Sequence, residues 1–353
     1  MERLILSFCL PCYNVGEYVG ECIASIVSQG LPDDSYEILC CDDCSTDDTL
    51  SAIQKAADTY PNVCIKWFRN DRNSGVSHSR NRMLTQARGA YIWWVDGDDA
   101  LAHGAARRFT AFLEQTPCDV LLGDYYRCSD IPAAPIESEA SGAAFVPAGM
   151  RSLPTDQNGL RMCAVWGGVF RRAFLIENHL TFNEKMMAQE DTLYYYEVEC
   201  CSPVVYKRPV ACYYYRQRSS SVMHARSVER AKNYYASMLE MLRVYEARRE
   251  SGKYLDGDRL EDKIQHSEHN VVACLSAIPD TPYVRRELKR LREENRYPCR
   301  FYPPILKRSF VRNLLPFLNP IPPFFWLNHV LNKAKYAIHL IVGISEKESS
   351  PEY

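Results

Sequence analysis

Apolar runs of strand length alternate, over the first 125 residues, with stretches in which apolar residues recur every three or four positions. The first pattern is typical of buried β-strands and the second of amphipathic helices. The predicted strands are residues 4–10, 36–41, 63–68, 90–95 and 120–125, and the predicted helices are residues 19–27, 50–60, 76–87 and 103–115. The strands are continuous apolar runs rather than strict in–out alternations, which indicates a sheet covered on both faces. The sequence therefore predicts an α/β fold, with a mostly parallel sheet sandwiched by helices.

Polar segments follow three of these strands at the point where each strand ends. They are residues 11–14, 42–48 and 96–99. Parallel strands bring their carboxyl ends to one edge of a sheet, and ligands of such sheets bind outside that edge. We therefore expect the three segments to contribute to a single binding site.

The last of these segments is an acidic turn, residues 96–99, in which Asp96, Asp98 and Asp99 surround Gly97. Three carboxylates so close together repel one another unless a cation lies among them. Carboxylate oxygens suit Mg²⁺ or Mn²⁺, which keep water or phosphate oxygens as their remaining ligands. The alternative, from this stretch alone, is an acidic turn on a solvated surface.

The pattern divides the chain into three parts, which are residues 1–225, 226–298 and 299–353. Beyond residue 125 the first part begins with a loop insertion rich in Pro, Ala, Ser and Gly at residues 131–154, and regular structure resumes at 165–172. An aromatic helix opens at residues 187–191, strands are predicted at 204–206 and 212–215, and a polar loop follows at 216–221. Helical spacing dominates the second part and predicts a helical C-terminal extension. No internal repeat is present.

Composition narrows the class of protein. The chain has 353 residues and a formal net charge of -2, which argues against a strongly basic nucleic-acid binder. Its fifteen cysteines include Cys41-x-x-Cys44, but no second pair follows at zinc-like spacing, so we interpret the cysteines mostly as small buried hydrophobes in a reducing cytosol. No cleavable leader and no apolar run of roughly 18–20 residues is visible, which predicts a cytoplasmic protein.

The tail, residues 299–353, mixes prolines and aromatic residues with basic residues that have few acids nearby. Basic, aromatic segments broken by proline can lie on an anionic membrane surface. The tail therefore predicts a peripheral contact with the inner face of the plasma membrane. The alternative is that it packs back on the domain.

Six motifs resemble, in order and spacing, those of the family 2 glycosyltransferases of bacterial surface-polysaccharide synthesis. They are Pro11-x-Tyr13-Asn14, Asp42-Asp43-x-Ser45-Thr46-Asp47, Asn73-x-Gly75, Arg80-Asn81, Asp96-x-Asp98-Asp99 and Glu190-Asp191. The Trp-Gly segment before Arg171-Arg172 and the Tyr215-Arg216 pair are also similar to that branch. The resemblance covers roughly residues 4–224. It implies the Rossmann-like GT-A fold, with residues 1–125 as the nucleotide-sugar half and residues 126–225 as the acceptor half.

The resemblance implies inverting transfer of a sugar from a nucleotide donor. Asp98 would be the principal ligand of Mg²⁺ or Mn²⁺, with Asp96 nearer the ribose or a metal-bound water, because a cation stabilises the leaving diphosphate. Asp191 would be the general base that takes the proton of the acceptor hydroxyl, and Glu190 is the neighbour most easily confused with it. The alternative for both is an acid at a helix N-terminus that pairs with the helix dipole.

The resemblance also implies donor contacts in the first half. Asp42 and Asp43 match the acid that binds the base, which favours a uridine donor, although this cluster could instead cap a helix. Pro11, Tyr13 and Asn14 would shape the nucleotide pocket. Arg80 could pair with a phosphate, or with Asp96 or Asp98.

Four further candidates lie in the second half. Arg216 and Ser221 could contact the diphosphate from a flexible lid, and His224 could be a metal or diphosphate ligand, although a single histidine is more often structural. Trp166 offers a flat apolar face on which an acceptor sugar could stack, and its alternative role is core packing.

Two positions depart from the family pattern. The glycine usual after the paired aspartates is Cys44 here, so that turn must accommodate a side chain. Many relatives have a lysine where this chain has Gly168, which puts acceptor or diphosphate contacts at that position in doubt.

The leading hypothesis is thus a metal-dependent inverting glycosyltransferase that uses a UDP-sugar and extends a cell-surface glycan or its lipid-linked precursor. A nucleotidyltransferase is disfavoured, because no Gly-rich basic loop lies near the N-terminus to hold a triphosphate. A non-catalytic sugar-nucleotide-binding or scaffold subunit is the other alternative. The sequence names neither the sugar, nor the acceptor, nor the oligomeric state.

Overall fold

The computed structural model describes residues 4–132, 164–217, 227–252 and 257–294, together with residues 326, 329 and 330. The chain forms two compact units, Met1–His224 and Ala225–Tyr353. The predicted insertion at 131–154 and the tail at 299–353 lie almost entirely outside the described residues.

The first unit is the α/β domain that the apolar pattern predicts. Its strands are β1 Leu6–Cys12, β2 Tyr36–Asp42, β3 Cys64–Arg69, β4 Tyr91–Trp94, β5 Ala100–Leu101, β6 Val120–Cys128, β7 Gly168–Arg171 and β8 Val205–Arg216. Its helices are α1 Val19–Val27, α2 Thr49–Thr59, α3 Val76–Gln86, α4 Ala105–Gln115, α5 Arg172–Glu177 and α6 Glu190–Cys200. Every strand and helix predicted in the first 125 residues is present with both ends within three residues of the prediction.

The sheet is mostly parallel. Its strand order is β3-β2-β1-β4-β7-β6-β8-β5, in which β7 runs antiparallel to both β4 and β6, and β5 runs antiparallel to β8. The parallel block β3-β2-β1-β4 places the three polar segments at one edge, as expected from the sequence. The fold class is therefore confirmed.

One strand prediction was wrong in its connectivity. The predicted strands at 204–206 and 212–215 are parts of a single strand, β8, which begins at Val205. The polar side chains of Lys207 and Arg208 interrupt the apolar pattern, but the backbone there continues to pair with β6. The register shifts next to Gly123, where an added Cβ would lie only 2.8 Å from Cys212 Sγ.

Apolar side chains fill both faces of the sheet. One face packs Phe8, Trp93 and Phe109 against α1 and α4, with ring centroids 5.8 and 4.9 Å apart. Most of the described cysteines are buried free thiols, as the composition predicted, and burial raises the pKa of the Cys9 thiol well above its usual value. Among the residues that the structure describes, no cysteine pair forms a disulfide.

A buried carboxylate ties the sheet together near the amino ends of its strands. Glu37 of β2 is fully buried and accepts hydrogen bonds from Ser7 Oγ (2.8 Å), Arg88 N–H (2.7 Å) and Arg88 Nε (3.0 Å). Burial alone would raise the pKa of Glu37, but these bonds outweigh burial and lower it below its usual value. The clamp joins β1 and β2 to the turn that enters β4.

The second unit contains three described helices, α7 Val228–Ser251, α8 Gly257–Ala277 and α9 Thr281–Glu293. The first begins at Ser227, whose Oγ accepts a hydrogen bond from Arg230 N–H. Within the described part of the chain, no helix is both long enough and apolar enough to span a bilayer.

Candidate active site

The acidic turn leaves β4 at the carboxyl edge of the sheet and is held by backbone and tyrosine contacts. Asp96 N–H donates to Tyr213 Oη at 2.9 Å, and Asp99 N–H donates to the Asp96 carbonyl at 3.0 Å. A Cβ on Gly97 would lie 3.1 Å from Cys12 Sγ and from Val15, so glycine allows the close approach of β1. The turn is therefore rigidly packed against the first polar segment.

The carboxylates of the turn affect one another. Burial, followed by repulsion from Asp98 and Asp96, raises the pKa of Asp99 well above its usual value, and only 1% of Asp99 is exposed. Burial also raises the pKa of Asp96, with Asp98 adding to the effect and Arg80 opposing it. Protonation or a bound cation would relieve such crowding.

The side chains of the acidic turn offer only carboxylate oxygens to a metal ion. Among the described residues, no group of three His, Cys, Asp or Glu side chains has metal-binding geometry. The oxygen-only donor set nevertheless suits Mg²⁺ or Mn²⁺, because these ions are commonly held by one or two carboxylates together with substrate phosphates. Asp98 thus fits an ion completed by the substrate, while one oxygen of Asp96 is occupied by Arg80.

Arg80 of α3 connects the acidic turn with the second half of the domain. Its Nη2 lies 3.0 Å from Asp96 Oδ1, and its Nη1 lies 3.0 Å from Glu190 Oε1 and 2.7 Å from Asp191 Oδ1. The side chain is 3% exposed, and its guanidinium lies 5.0 Å above the ring of Phe182. Of the two roles left open by the sequence, the structure shows pairing with carboxylates.

Asp191 and Glu190 open helix α6 directly after Gln189, whose φ is 59°. Asp191 Oδ2 accepts a hydrogen bond from Val165 N–H at 3.2 Å. Burial raises the pKa of Asp191 to about 8, with Glu190 adding to the effect and Arg80 opposing it. The side chain of Asp191 is 16% exposed, so it is not sealed off from solvent.

Asp42 and Cys44 form the turn after β2. Asp42 Oδ1 accepts from Ser45 N–H at 3.0 Å, and its Oδ2 lies 3.2 Å from Arg69 Nε. Cys44 has a φ of 61°, so a side chain occupies the left-handed conformation that glycine favours. Cys44, which stands where the family usually has glycine, therefore adopts the backbone conformation that a glycine would favour there.

Asp43 is turned toward the loop that precedes α3. Its Oδ1 accepts from Asn70 Nδ2 at 2.7 Å and from Ser74 N–H at 2.9 Å, and its Oδ2 accepts from Gly75 N–H at 2.7 Å. The carboxylate thus organises this loop in the structure, whether or not it also contacts a nucleotide base.

The first polar segment borders the same edge. Pro11 lies within β1, and Tyr13 follows it with 41% of its surface exposed. Asn14 has a φ of 52°, and its Oδ1 accepts from Thr46 N–H at 2.9 Å. Tyr13 is therefore accessible to a ligand, while Asn14 joins two polar segments.

Arg216 ends β8 beside the acidic turn and forms specific contacts there. Its N–H donates to Asp99 Oδ1 at 2.8 Å, its Nε donates to the Asp98 carbonyl at 2.9 Å, and its Nη2 pairs with Glu21. In this structure Arg216 braces the turn. The other two predicted residues of the segment, Ser221 and His224, lie outside the described residues.

Trp166 is a core residue in this structure, which is the alternative role considered from the sequence. It is 6% exposed and stacks on Tyr213 and Tyr215, with ring centroids 4.4 and 5.5 Å away. Its ring therefore offers almost no exposed surface to an acceptor sugar.

Nearby Gly168 lies against β6, where an added Cβ would be 2.3 Å from the Leu121 carbonyl. A lysine there would require the strands to separate.

Sequence reasoning missed Tyr213 and the role of Asn81. Tyr213 is fully buried within a run of three tyrosines, and nothing local distinguishes the one that holds the acidic turn. Asn81 belongs to a recognised motif, but its partner Phe182 lies 101 residues away in the sequence. Neither contact has a signal in the local pattern.

Residues 7–177 match the family model described as Glycosyl transferase family 2. The chain carries a family 2 glycosyltransferase domain. A poly(ribitol-phosphate) beta-glucosyltransferase of Bacillus spizizenii is 25% identical over 244 residues, which are 69% of this chain and 37% of that protein. The chain therefore spans less than two fifths of the length of that relative.

Solved structures share the fold of this domain. S. aureus TarS 1-349 in complex with UDP-GlcNAc superposes with a TM-score of 0.56 at 18% identity, covering 96% of this chain and 92% of that one. A mannosyltransferase of Pyrobaculum calidifontis in complex with GDP-Man and Mn²⁺ gives a TM-score of 0.51 at 17% identity, covering 95% and 88%. Both are glycosyltransferases, in agreement with the GT-A fold predicted from the sequence.

Proposed function

We propose that this domain is an inverting glycosyltransferase that moves a sugar from a UDP-sugar to a hydroxyl of a cell-surface glycan or its lipid-linked precursor. The observation that carries the proposal is the Arg80 junction, which brings the acidic turn and the partly buried carboxylate of Asp191 into one site. A relative named for glucosyl transfer to poly(ribitol-phosphate) and a structural neighbour bound to UDP-GlcNAc support the substrate class.

Asp191 would act on the acceptor. The acceptor hydroxyl attacks C1 of the sugar from the face opposite the nucleotide, the bond from C1 to the diphosphate oxygen breaks, and the hydroxyl proton passes to Asp191. A pKa near the working pH suits this role, because a share of the molecules then carries the ionised carboxylate, and that carboxylate is more basic than an ordinary aspartate. Arg80 and Val165 N–H hold the two oxygens of Asp191, so the carboxylate is oriented before substrate binds.

Glu190 shares the Arg80 guanidinium and adds negative charge beside Asp191, which raises the pKa of the base further. Asp98, with Asp96 and His224, would hold Mg²⁺ or Mn²⁺, and the ion when bound would neutralise charge that develops on the leaving diphosphate. In this arrangement Glu190 tunes the base rather than replacing it.

The remaining residues would bind the donor. Tyr13 is exposed just after β1, at the edge where β2 ends at Asp42 and Asp43 follows, which supports a base pocket formed with Pro11, Asn14, Asp42 and Asp43. Arg216 and Ser221 would contact the diphosphate from the end of β8. Trp166 would support the site from the core.

A donor panel tests the proposal. The full chain is incubated with UDP-, GDP-, TDP- and CMP-sugars and Mn²⁺, with polyol-phosphate and lipid-linked acceptors, and nucleotide release is measured together with product mass. We expect transfer from a UDP-sugar that EDTA abolishes and Mn²⁺ or Mg²⁺ restores. Matched Asp98→Asn and Asp58→Asn variants separate the proposed ligand from an exposed aspartate of α2.

Two results would overturn the proposal. Stoichiometric nucleotide binding without transfer from any donor would indicate a sugar-nucleotide-binding or scaffold subunit. Release of pyrophosphate from a nucleoside triphosphate and a sugar phosphate would indicate a nucleotidyltransferase.

The tail, residues 299–353, is proposed to contact the cytoplasmic face of the membrane through its basic and aromatic residues. Co-sedimentation of the full chain with vesicles containing 30% anionic phospholipid, compared with a chain ending at residue 298, tests it. Equal sedimentation of the two chains would exclude the contact.

A further inference from the structure

The segment that delivers Asp191 to the site lies along helix α3 of the other half. Residues 181–189 connect α5 to α6 without regular secondary structure, and Glu190 and Asp191 follow at once. A segment without helix or strand hydrogen bonds depends on other contacts for its position.

Asn81 pairs with both backbone groups of Phe182. Its Nδ2 donates to the Phe182 carbonyl at 2.9 Å, and its Oδ1 accepts from Phe182 N–H at 2.8 Å. This pairing replaces the strand hydrogen bonds that the segment lacks. Phe182 is 2% exposed and stacks on Tyr194 at 4.0 Å, and the Arg80 guanidinium lies over its ring. The Asn81 side chain thus fixes the surface on which Arg80 rests.

Two more contacts follow the segment along α3. Glu184 accepts from Asn81 Nδ2 at 2.9 Å and lies 3.1 Å from His78 Nδ1. The side chain of Met187 reaches Gly75, where an added Cβ would be 3.4 Å from its Sδ. The carboxylate and imidazole are 48% and 40% exposed, so that ion pair contributes little by itself. Asn81 takes part both in the buried contact with Phe182 and in the exposed contact with Glu184.

We infer that Asn81 is a positioning residue, which holds the segment before α6 on α3 and thereby sets the place of Asp191. This inference rests on the proposed function, in which Asp191 is the general base. Asn81 acts through Phe182 and Arg80, and we assign it no contact with the reacting atoms. Displacement of a catalytic group by about 1 Å can lower a rate by about 100-fold, so a loosened segment affects turnover more than donor binding.

Three variants test the inference. Asn81→Ala removes both bonds to Phe182, while Asn81→Asp keeps the acceptor but places a carboxylate against the Phe182 carbonyl and Glu184. Asn178→Ala is the matched control, because Asn178 Nδ2 also donates to a backbone carbonyl, that of Phe174 at 2.9 Å. For each variant kcat, the KM for the UDP-sugar, the thermal midpoint and amide hydrogen exchange are measured.

We expect kcat to fall about tenfold or more in both Asn81 variants, while the donor KM changes less than about twofold. Amide exchange should become faster at Phe182 and residues 183–189 and stay unchanged in β1 and β2. Asn178→Ala should leave kcat and exchange in the segment unchanged. Wild-type kcat in Asn81→Ala, or a fall matched by equal loss of donor binding, would overturn the inference.

The two proposals fail in different ways. If the wild-type chain transfers sugar but Asn81→Ala keeps full turnover, only the positioning role is wrong. If the wild-type chain transfers from no donor, the proposed function is wrong and the base that Asn81 would position is lost with it. If amide exchange at residues 182–189 is unchanged in Asn81→Ala, then Asn81 does not hold this segment. That result requires no assay of sugar transfer.

Discussion

Nη1 of Arg80 lies 2.7 Å from Oδ1 of Asp191, although the two residues are 111 positions apart in the chain. The same guanidinium reaches Asp96 in the acidic turn. One cation therefore serves carboxylates from both halves of the domain, and it opposes the rise in the pKa of each.

Replacing Asp191, the proposed general base, should greatly slow transfer without preventing donor binding. Asp191→Asn keeps the shape of the side chain but cannot accept the proton, so we predict a loss of kcat of at least 100-fold, the lower end of what general base catalysis contributes. UDP binding, measured by calorimetry, should stay within about threefold of wild type, since Asp191 is proposed to act on the acceptor and not to contact the donor. Glu190→Gln is the matched comparison and should retain more activity. Near-normal turnover of Asp191→Asn would refute its assignment as base.

Turnover should depend on pH through Asp191. The raised pKa means that the carboxylate is protonated, and unable to accept a proton, over a range where an ordinary aspartate is ionised. We therefore predict that kcat rises with pH through a midpoint well above pH 4. Initial rates at saturating donor and metal, between pH 5 and 9, give that midpoint. A plateau that extends down to pH 5 would contradict the prediction.

Loss of one buried hydroxyl should loosen the acidic turn. Tyr213→Phe removes the Oη that accepts Asp96 N–H at 2.9 Å, and we predict a destabilisation of about 1–3 kcal/mol together with weaker metal-dependent activity. Tyr36→Phe is a suitable control, because the buried Tyr36 hydroxyl has no hydrogen-bond partner in the described part of the chain. Urea unfolding and Mn²⁺ titration of activity measure both effects. Equal stability of the two variants would show that this bond contributes nothing.

Two glycine substitutions should have opposite effects. Gly168→Ala places a Cβ 2.3 Å from the Leu121 carbonyl, which cannot move without separating β6 from β7, so we predict a loss of about 1–3 kcal/mol. Gly20 lies in α1 with open space around an added Cβ, so Gly20→Ala should stabilise by about 0.5–1 kcal/mol. Thermal unfolding of both variants tests the pair. An unaffected Gly168→Ala would show that the relatives' lysine could be accommodated.

The Glu37 clamp should make stability depend on pH. Its pKa is lowered in the folded chain, so its contribution is complete above the unfolded value of about 4.3 and is lost as the pH falls below that value. Glu37→Gln should therefore unfold more easily at pH 7 and lose less stability than wild type on acidification to pH 4. Glu114→Gln, on the exposed face of α4, should behave as wild type. Parallel pH slopes for wild type and Glu37→Gln would refute the clamp.

Local patterns predicted the first half of the domain well. β1 to β4 and α1 to α4 were found within three residues of their predicted ends, because apolar periodicity is a local property. β5 is only two residues long and so too short to show a period, and β8 contains polar residues that interrupt one. The meeting of the polar segments at one edge of the sheet was also predicted, because parallel strands place their carboxyl ends together.

The sequence by itself determined the fold class, the family of the domain and the identity of the carboxylates at the sheet edge, since each depends on residue type and short-range order. Only the tertiary structure decided the partners of those carboxylates. It placed Arg80 between Asp96 and Asp191, and it placed Trp166 in the core on Tyr213. The physical reason is that charge pairing and burial depend on which distant segments meet, and such meetings leave no local pattern in the chain.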